Sequence, residues 1–305
     1  MLLRRLEYLA ALAREEHFGR AAEACHVTQP ALSAGIRKLE RELGVQVVRR
    51  GQRFEGFTNE GAEVLRWAQR MLAERAALDQ TIATMHAGLT GTLRIGAIPT
   101  ALTVSPLLTT PVRERHPLVG IRLLSMSSRE IVRGVNDFEL DVGMTYVDGE
   151  PLGQVRVIPL YRERYLLLTP ADGEHGAKTS VTWDDAARSP LCLLTGDMQN
   201  RRIVDGHLAD TGRTAHVVVE TDTVSALYAH VASMGLCSVV PHAWLPTFGV
   251  PEGLRAIPLP TPRRSHQVGL VLAGHGPESL LAQAVVETAR EVDLAVLLEQ
   301  GAEPS

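Results

Sequence analysis

Through residues 1–90 the apolar positions recur every three or four residues, the period of helices with one buried face. Leu2 to Arg14 predicts a first helix, with Leu3, Leu6, Leu9, Ala10 and Ala13 inward. Phe18 to Ala24 predicts a short second helix, ended by the break Cys25-His26-Val27. Thr28 opens a third. Its hydroxyl can accept an orphan N–H of the first turn, and Pro30 lies in that turn, where a missing donor does no harm. Leu32, Ile36, Leu39 and Leu43 then make one buried stripe, while Gln29, Ser33, Arg37, Lys38 and Arg41 share the other face. Two short helices joined by a tight turn, the second capped and basic on its outer side, describe a helix-turn-helix.

Val45 to Thr58 alternates and contains Gly51 and Gly56, which predicts a two-stranded wing carrying Arg49, Arg50 and Arg53. A long helix is expected from about Glu60 to Ala87. Along it Val64, Ala68, Met71, Arg75, Leu78, Ile82, Met85 and Leu89 form a heptad seam with one polar interruption. Such a seam asks for a partner helix, and a second copy of the chain is the simplest supply; the alternative is packing on the chain's own C-terminal part.

After the hinge Gly88-Leu89-Thr90-Gly91 the pattern changes. Strands are expected at 92–97, 120–125, 140–144, 156–160, 165–169, 191–194, 216–219, 237–240, 254–257 and 267–272. Helices are expected at 104–115, 127–136, 182–187, 200–211, 223–233 and 278–298. The alternation is an α/β pattern.

Composition changes this picture little. The chain has 305 residues, 45% hydrophobic, enough for two domains with real cores. Its net charge of −4 does not announce a nucleic-acid binder, although residues 1–60 carry +2 and the remainder −6. A DNA-binding protein needs a local basic face, and Arg37/Lys38/Arg41 and Arg49/Arg50/Arg53 supply two clusters; alone they would read as solvated faces. The first residues alternate charged and apolar positions, and no run approaches the ~20 apolar residues of a membrane span. No secretory leader and no membrane partner are expected, so the location predicted is cytoplasmic. Cys25, Cys192 and Cys237 fit no disulfide framework or zinc spacing. No nucleotide loop, nucleophile elbow or metal-binding His-Glu-x-x-His is present, so no catalytic residue, metal or cofactor is expected.

Ala21-Ala22, Val27-Thr28-Gln29-Pro30-Ala31-Leu32-Ser33, Ile36, Leu39-Glu40 and Leu43-Gly44-Val45, with Arg50 closing the run, resemble the DNA-binding domain of the LysR-type transcriptional regulators. One departure is Ala34-Gly35, where the family has long polar residues. The glycine costs ~1 kcal/mol in a helix interior, and two potential contacts are lost. The resemblance continues more weakly through Leu93-Arg-Ile-Gly96, Leu140-Asp-Val-Gly143, Val231-Ala-Ser-Met-Gly235 and Val239-Val-Pro241. Asp137 to Tyr146 is also similar to regulators found near formate-oxidation genes.

The resemblance implies an α/β protein with an N-terminal all-α winged helix-turn-helix (1–59), a linker and dimerisation helix with hinge (60–91), and a periplasmic-binding-protein-like effector domain (92–300). Its first subdomain would be 92–162 plus 266–300, its second 163–265. It implies Thr28, Gln29, Pro30, Ser33, Arg37, Lys38, Arg50 and Arg53 at promoter DNA. A small effector, a carboxylate or other small anion, would meet Thr100, Ser127, Ser128, Thr145, Tyr146, Asn200 and Arg201. Each hydroxyl could instead cap a helix, and Arg201 could be a solvated charge or a subunit contact. A dimer, then a homotetramer, and contact with RNA polymerase follow from the same resemblance. The competing readings are a redox sensor using Cys192 and Cys237, and an α/β enzyme.

Overall fold

The computed structural model describes residues 2–49, 51, 53–259 and 265–300. They form two compact units. One comprises the chain up to Ala87 with His275–Leu280; the other comprises Gly88–Gly274 with the chain from Leu281 onward.

In the first unit α1 (Leu2–Glu15), α2 (Phe18–Ala24) and α3 (Gln29–Leu43) close around Leu6, Leu9, Leu12, Ala21, Leu32, Ile36 and Leu39. Full burial of one such leucine is worth about 1.5–3 kcal/mol. Thr28 caps α3 by accepting the Ala31 N–H at 3.4 Å, and His17 caps α2 through Nδ1. Leu43 departs from the expected stripe: it lies in the last turn and is exposed. Among the described residues the wing has one ladder bridge, Val48 to Phe57, rather than two full strands. Its base is tied by Glu40, whose Oε1 accepts from Val47 N (2.9 Å) and Val48 N (3.1 Å).

α4 (Asn59–Ala87) begins where the Thr58 hydroxyl accepts from Gly61 N at 2.8 Å. Gly61 has no alternative, since a Cβ there would sit 1.9 Å from the Val47 carbonyl oxygen. The expected seam divides. Val64 and Ala68 pack into the helix-turn-helix core, whereas Met71, Leu78, Ile82 and Met85 are exposed on α4. Leu89 lies past the helix and packs in the second unit.

The second unit holds β1 (Gly91–Ala97), α5 (Pro106–Arg115), β2 (Val119–Ser125), α6 (Ser128–Asn136), β3 (Val142–Tyr146), β4 (Val155–Glu163), β5 (Tyr165–Pro170), α7 (Trp183–Arg188), β6 (Pro190–Leu194), α8 (Gln199–Ala209), β7 (His216–Thr221), α9 (Val224–Met234), β8 (Ser238–Pro241), α10 (Leu245–Phe248), β9 (Leu254–Pro258), β10 (His266–Ala273), α11 (Leu280–Glu291) and α12 (Leu294–Gln300). One sheet has the order β2-β1-β3-β10-β4, with β1 parallel to β2 and β3 and with β10 antiparallel to β3 and β4. The chain passes to the other half at Arg164, the one residue between β4 and β5. There β8-β5-β9 form an antiparallel sheet and β6-β7 a parallel pair.

Two expectations shift. β3 starts two residues later than the pattern suggests, which puts Thr145 and Tyr146 inside the strand instead of after it. The single C-terminal helix is two, because the Asp293 carboxylate accepts from Val296 N (3.2 Å) and starts a new helix.

Candidate DNA-reading face and effector cleft

On α3, the exposed residues Thr28, Gln29, Pro30, Arg37 and Lys38 share one side with half-buried Ser33. Arg53 is exposed on the wing; Arg50 lies outside the described residues. Gly35 acquires a packing role. A Cβ there would come within 2.7 Å of the Tyr8 ring, so the glycine lets α1 and α3 cross closely. Its missing side chain would aim at Tyr8, and of the two departures only Ala34 withdraws a group from the exposed face. An apolar groove of about 630 Å³ is lined by residues of α1, α3 and α4, among them Leu2, Leu43, Val64, Trp67 and Met71.

The second candidate site is set by the carboxyl ends of β1, β2 and β3, which are neighbours in the sheet. Ile98 N bonds Met144 O (3.0 Å) and Met126 N bonds Ala97 O (3.0 Å), so the three exits lie together. Thr100, Ser128 and Thr145 stand there, buried, and among the described residues the hydroxyl of each has no hydrogen-bond partner. Ser127 is otherwise engaged. It caps α6 reciprocally with Glu130, whose carboxyl is held below its ordinary range by Ser127's backbone N–H and then its hydroxyl. From the facing half, the buried Gln199 at the start of α8 donates to Asp148 O at 3.5 Å and leaves its Oε1 without a partner.

Asn200 Nδ2 donates to the Tyr146 hydroxyl (3.0 Å), and that hydroxyl donates to Glu163 Oε1. Glu163 is fully buried, which pushes its carboxyl up to about 8. Bonds from Tyr146, Tyr165 and Asn200 oppose this rise, and the Asp148 charge adds to it. Arg202 spans the halves, with Nε to Glu150 Oε1 at 2.8 Å and Nη2 to Oε2 at 3.1 Å. Arg201 departs from the expected role. Its guanidinium is spent on Asp205, Glu220 and the Leu194 carbonyl, and is only 11% exposed. An arginine opening a helix reads as an anion ligand in sequence; two acidic neighbours on α8 and β7 give it a structural place.

The profile described as bacterial regulatory helix-turn-helix protein, lysR family, matches residues 3–62. That described as LysR substrate binding domain matches residues 86–293. The chain belongs to the LysR family. It is therefore a DNA-binding transcriptional regulator with an effector-binding domain, and the α/β-enzyme reading falls, since the matched families and relatives are regulators. Among relatives of this LysR regulator, the dual regulator OxyR of Escherichia coli is 29% identical over 281 residues, 91% of each chain. A probable hydrogen peroxide-inducible genes activator of Streptomyces viridosporus is 34% identical over 63% of this chain and 62% of its own. A full-length OxyR variant from Pseudomonas aeruginosa has a TM-score of 0.74 at 28% identity, covering 96% of this chain and 99% of that one.

The cysteines of the LysR chain are all unpaired thiols. Cys192 and Cys237 are buried, and burial pushes the Cys192 thiol up. Their backbones are joined, Cys192 N to Cys237 O at 2.8 Å, and Cys237 Sγ donates to Thr169 Oγ1 at 3.4 Å. Burial raises the Cys25 thiol as well, opposed by Arg14, aided by Glu7 and opposed by Arg4. A raised, buried thiol is the opposite of a reactive thiolate. Among the described residues no helix is long and apolar enough to cross a membrane.

Proposed function

We propose that this regulator binds promoter DNA as a dimer of α4 helices, two dimers joining as a tetramer, and that a small polar effector in the cleft of the second unit changes its binding or bending of DNA. The observation that carries the effector site is the group of buried oxygens without partners: Thr100, Ser128 and Thr145 hydroxyls and Gln199 Oε1. Asn200 and Tyr146 position the cleft wall, and Ser127 holds the end of α6. The backbone N–H groups at the start of α6 suit an anionic end, so small carboxylates, formate included, are the first class to try. On the DNA side Gln29, Ser33 and Arg37 read bases; Thr28, Pro30, Lys38, Arg50 and Arg53 meet the backbone. The apolar groove along α4 suits a second copy of that helix. A cytoplasmic location and contact with RNA polymerase go with this reading.

The test is an electrophoretic shift of the gene's own upstream DNA against unrelated DNA at one salt concentration, with carboxylates then titrated in. Specific retardation that a carboxylate alters, and that Thr100→Val with Ser128→Ala makes insensitive, supports the reading. Equal retardation of both DNAs sinks it. The peroxide-inducible relatives favour a second reading, redox sensing through Cys192 and Cys237. It requires peroxide to shift DNA binding and Cys192→Ser to abolish the shift; the buried thiols argue that neither will occur.

A further inference from the structure

We infer that Glu163 is a proton-operated latch between the five-stranded sheet and the half that carries β5 and α8. Three facts of geometry carry this. Glu163 ends β4 and is followed, one residue on, by β5, so it stands at a crossing between the halves. The chain of bonds Asn200 to Tyr146 to Glu163 runs from α8 through β3 to β4 and so ties one half to the other. Glu163 is wholly buried, and among the described residues its Oε2 has no hydrogen-bond partner.

A carboxylate in that position would leave one oxygen bare in a low-dielectric site. A neutral acid changes that oxygen into a donor. A buried acceptor stands beside it: among the described residues the Tyr161 hydroxyl has no hydrogen-bond partner. One proton can therefore match two otherwise unpartnered oxygens, Glu163 Oε2 and the Tyr161 hydroxyl.

Burial favours the neutral form and the Asp148 charge adds to it, outweighing the bonds from Tyr146, Tyr165 and Asn200. Tyr146 on β3, Tyr161 on β4 and Tyr165 on β5 are themselves pushed well above their ordinary range, by burial first and then by Glu163, so they stay uncharged. Asp148, after β3, adds a negative charge and is held by Gln267 N (2.8 Å), His266 Nδ1 (3.3 Å) and Arg162 (3.8 Å). From α8 come the uncharged amide of Asn200 and the ring of His207, the latter ring to ring with Tyr165 at 5.7 Å; from β10 comes His266, 6.2 Å from the Tyr146 ring. Beyond Arg164, His242 keeps its ring neutral, pulled down to about 4 by burial and then by the Arg164 charge. Among the described residues no lysine or arginine pairs with Glu163.

When the halves part, water reaches Glu163 and its affinity for the proton returns toward the ordinary 4.5. The closed form thus holds a proton that the open form releases to solvent, and rising pH favours opening between about 4.5 and about 8. This inference does not rest on the effector reading, and needs no effector to test.

The full-length protein and Glu163→Gln are compared without ligand from pH 5 to pH 9. Gln keeps the acceptor for Tyr146 and supplies a permanent donor, so it should mimic the protonated latch. The melting temperature of the wild-type chain should fall with pH relative to the variant, the gap widening until about pH 8. Small-angle scattering should show the wild-type radius of gyration growing over the same range while that of the variant stays constant. Should the variant fail to fold, infrared spectra of the wild-type chain give the answer: a protonated-carboxyl band present at pH 7 and lost at pH 9. Parallel melting curves, an unchanged wild-type radius, or no such band at pH 7 would each overturn the latch.

Discussion

Gln29 and Arg53 illustrate two kinds of DNA contact, and their substitutions should differ in kind. Gln29→Ala should cost ~1–3 kcal/mol of operator affinity and relax base preference, because an amide can read a base edge with two bonds. Arg53→Ala should weaken all sequences about equally and flatten the salt dependence, since phosphate contacts release counterions but carry no sequence information. Shift assays on matched and scrambled operators at two salt concentrations separate the outcomes; an unchanged Gln29→Ala would remove the recognition-helix assignment. Gly35 makes a third case. Alanine gains about 1 kcal/mol of helix propensity, yet its Cβ meets the Tyr8 ring, and overpacking costs about 1–3 kcal/mol. Gly35→Ala should therefore destabilise the wild-type chain in thermal melts but stabilise a Tyr8→Ala background. Equal effects in both backgrounds would mean that the glycine is not there for the crossing.

Among the elements, α4 invites the sharpest test. Leu78 and Ile82 are 59% and 49% exposed on a 29-residue helix, too much apolar surface for a helix meant to face water. Leu78→Glu with Ile82→Glu should shift sedimentation toward monomer and leave the melting of the second unit unchanged. If the oligomer survives, α4 is not its seam. Elements were legible in sequence wherever one face alone is buried. α1 to α3 announce themselves by periodicity, and Thr28 by its capping position. Errors arose where local chemistry had two outlets. Ser127 and Ser128 look alike in sequence, and only the Glu130 partnership decides which one caps α6 and which is left with its hydroxyl free. Arg201 reads as an anion ligand in sequence, but Asp205 and Glu220 hold its guanidinium. Glu163 gives no signal in sequence, because an acidic residue at a strand end ordinarily faces solvent; nothing local says that Tyr146 and Asn200, from distant parts of the chain, will enclose it.

For the whole molecule, Glu163 and His242 shape stability from opposite sides of neutrality. His242 Nδ1 accepts the Arg164 N–H at 3.1 Å, so protonation there breaks a bond at the crossing between the halves. Its folded value lies near 4 and its ordinary one at 6.5, so the unfolded chain takes up the proton first. The stability it contributes is present above pH 6.5 and is lost as pH falls toward 4, whereas that of Glu163 is lost as pH rises toward 8. Thermal melts of His242→Gln should flatten the acid side only; a parallel curve would show that the imidazole is not the group titrating. The sheet order has a consequence for synthesis as well. β4 is an edge strand whose one partner is β10, made about a hundred residues later. While the chain grows from the ribosome, β4 can find no ladder until residues 266–273 emerge, and its open hydrogen-bonding edge is offered meanwhile to whatever strand is near. A translational pause before residue 266 is thus where this regulator is most exposed to misassembly and most in need of a chaperone.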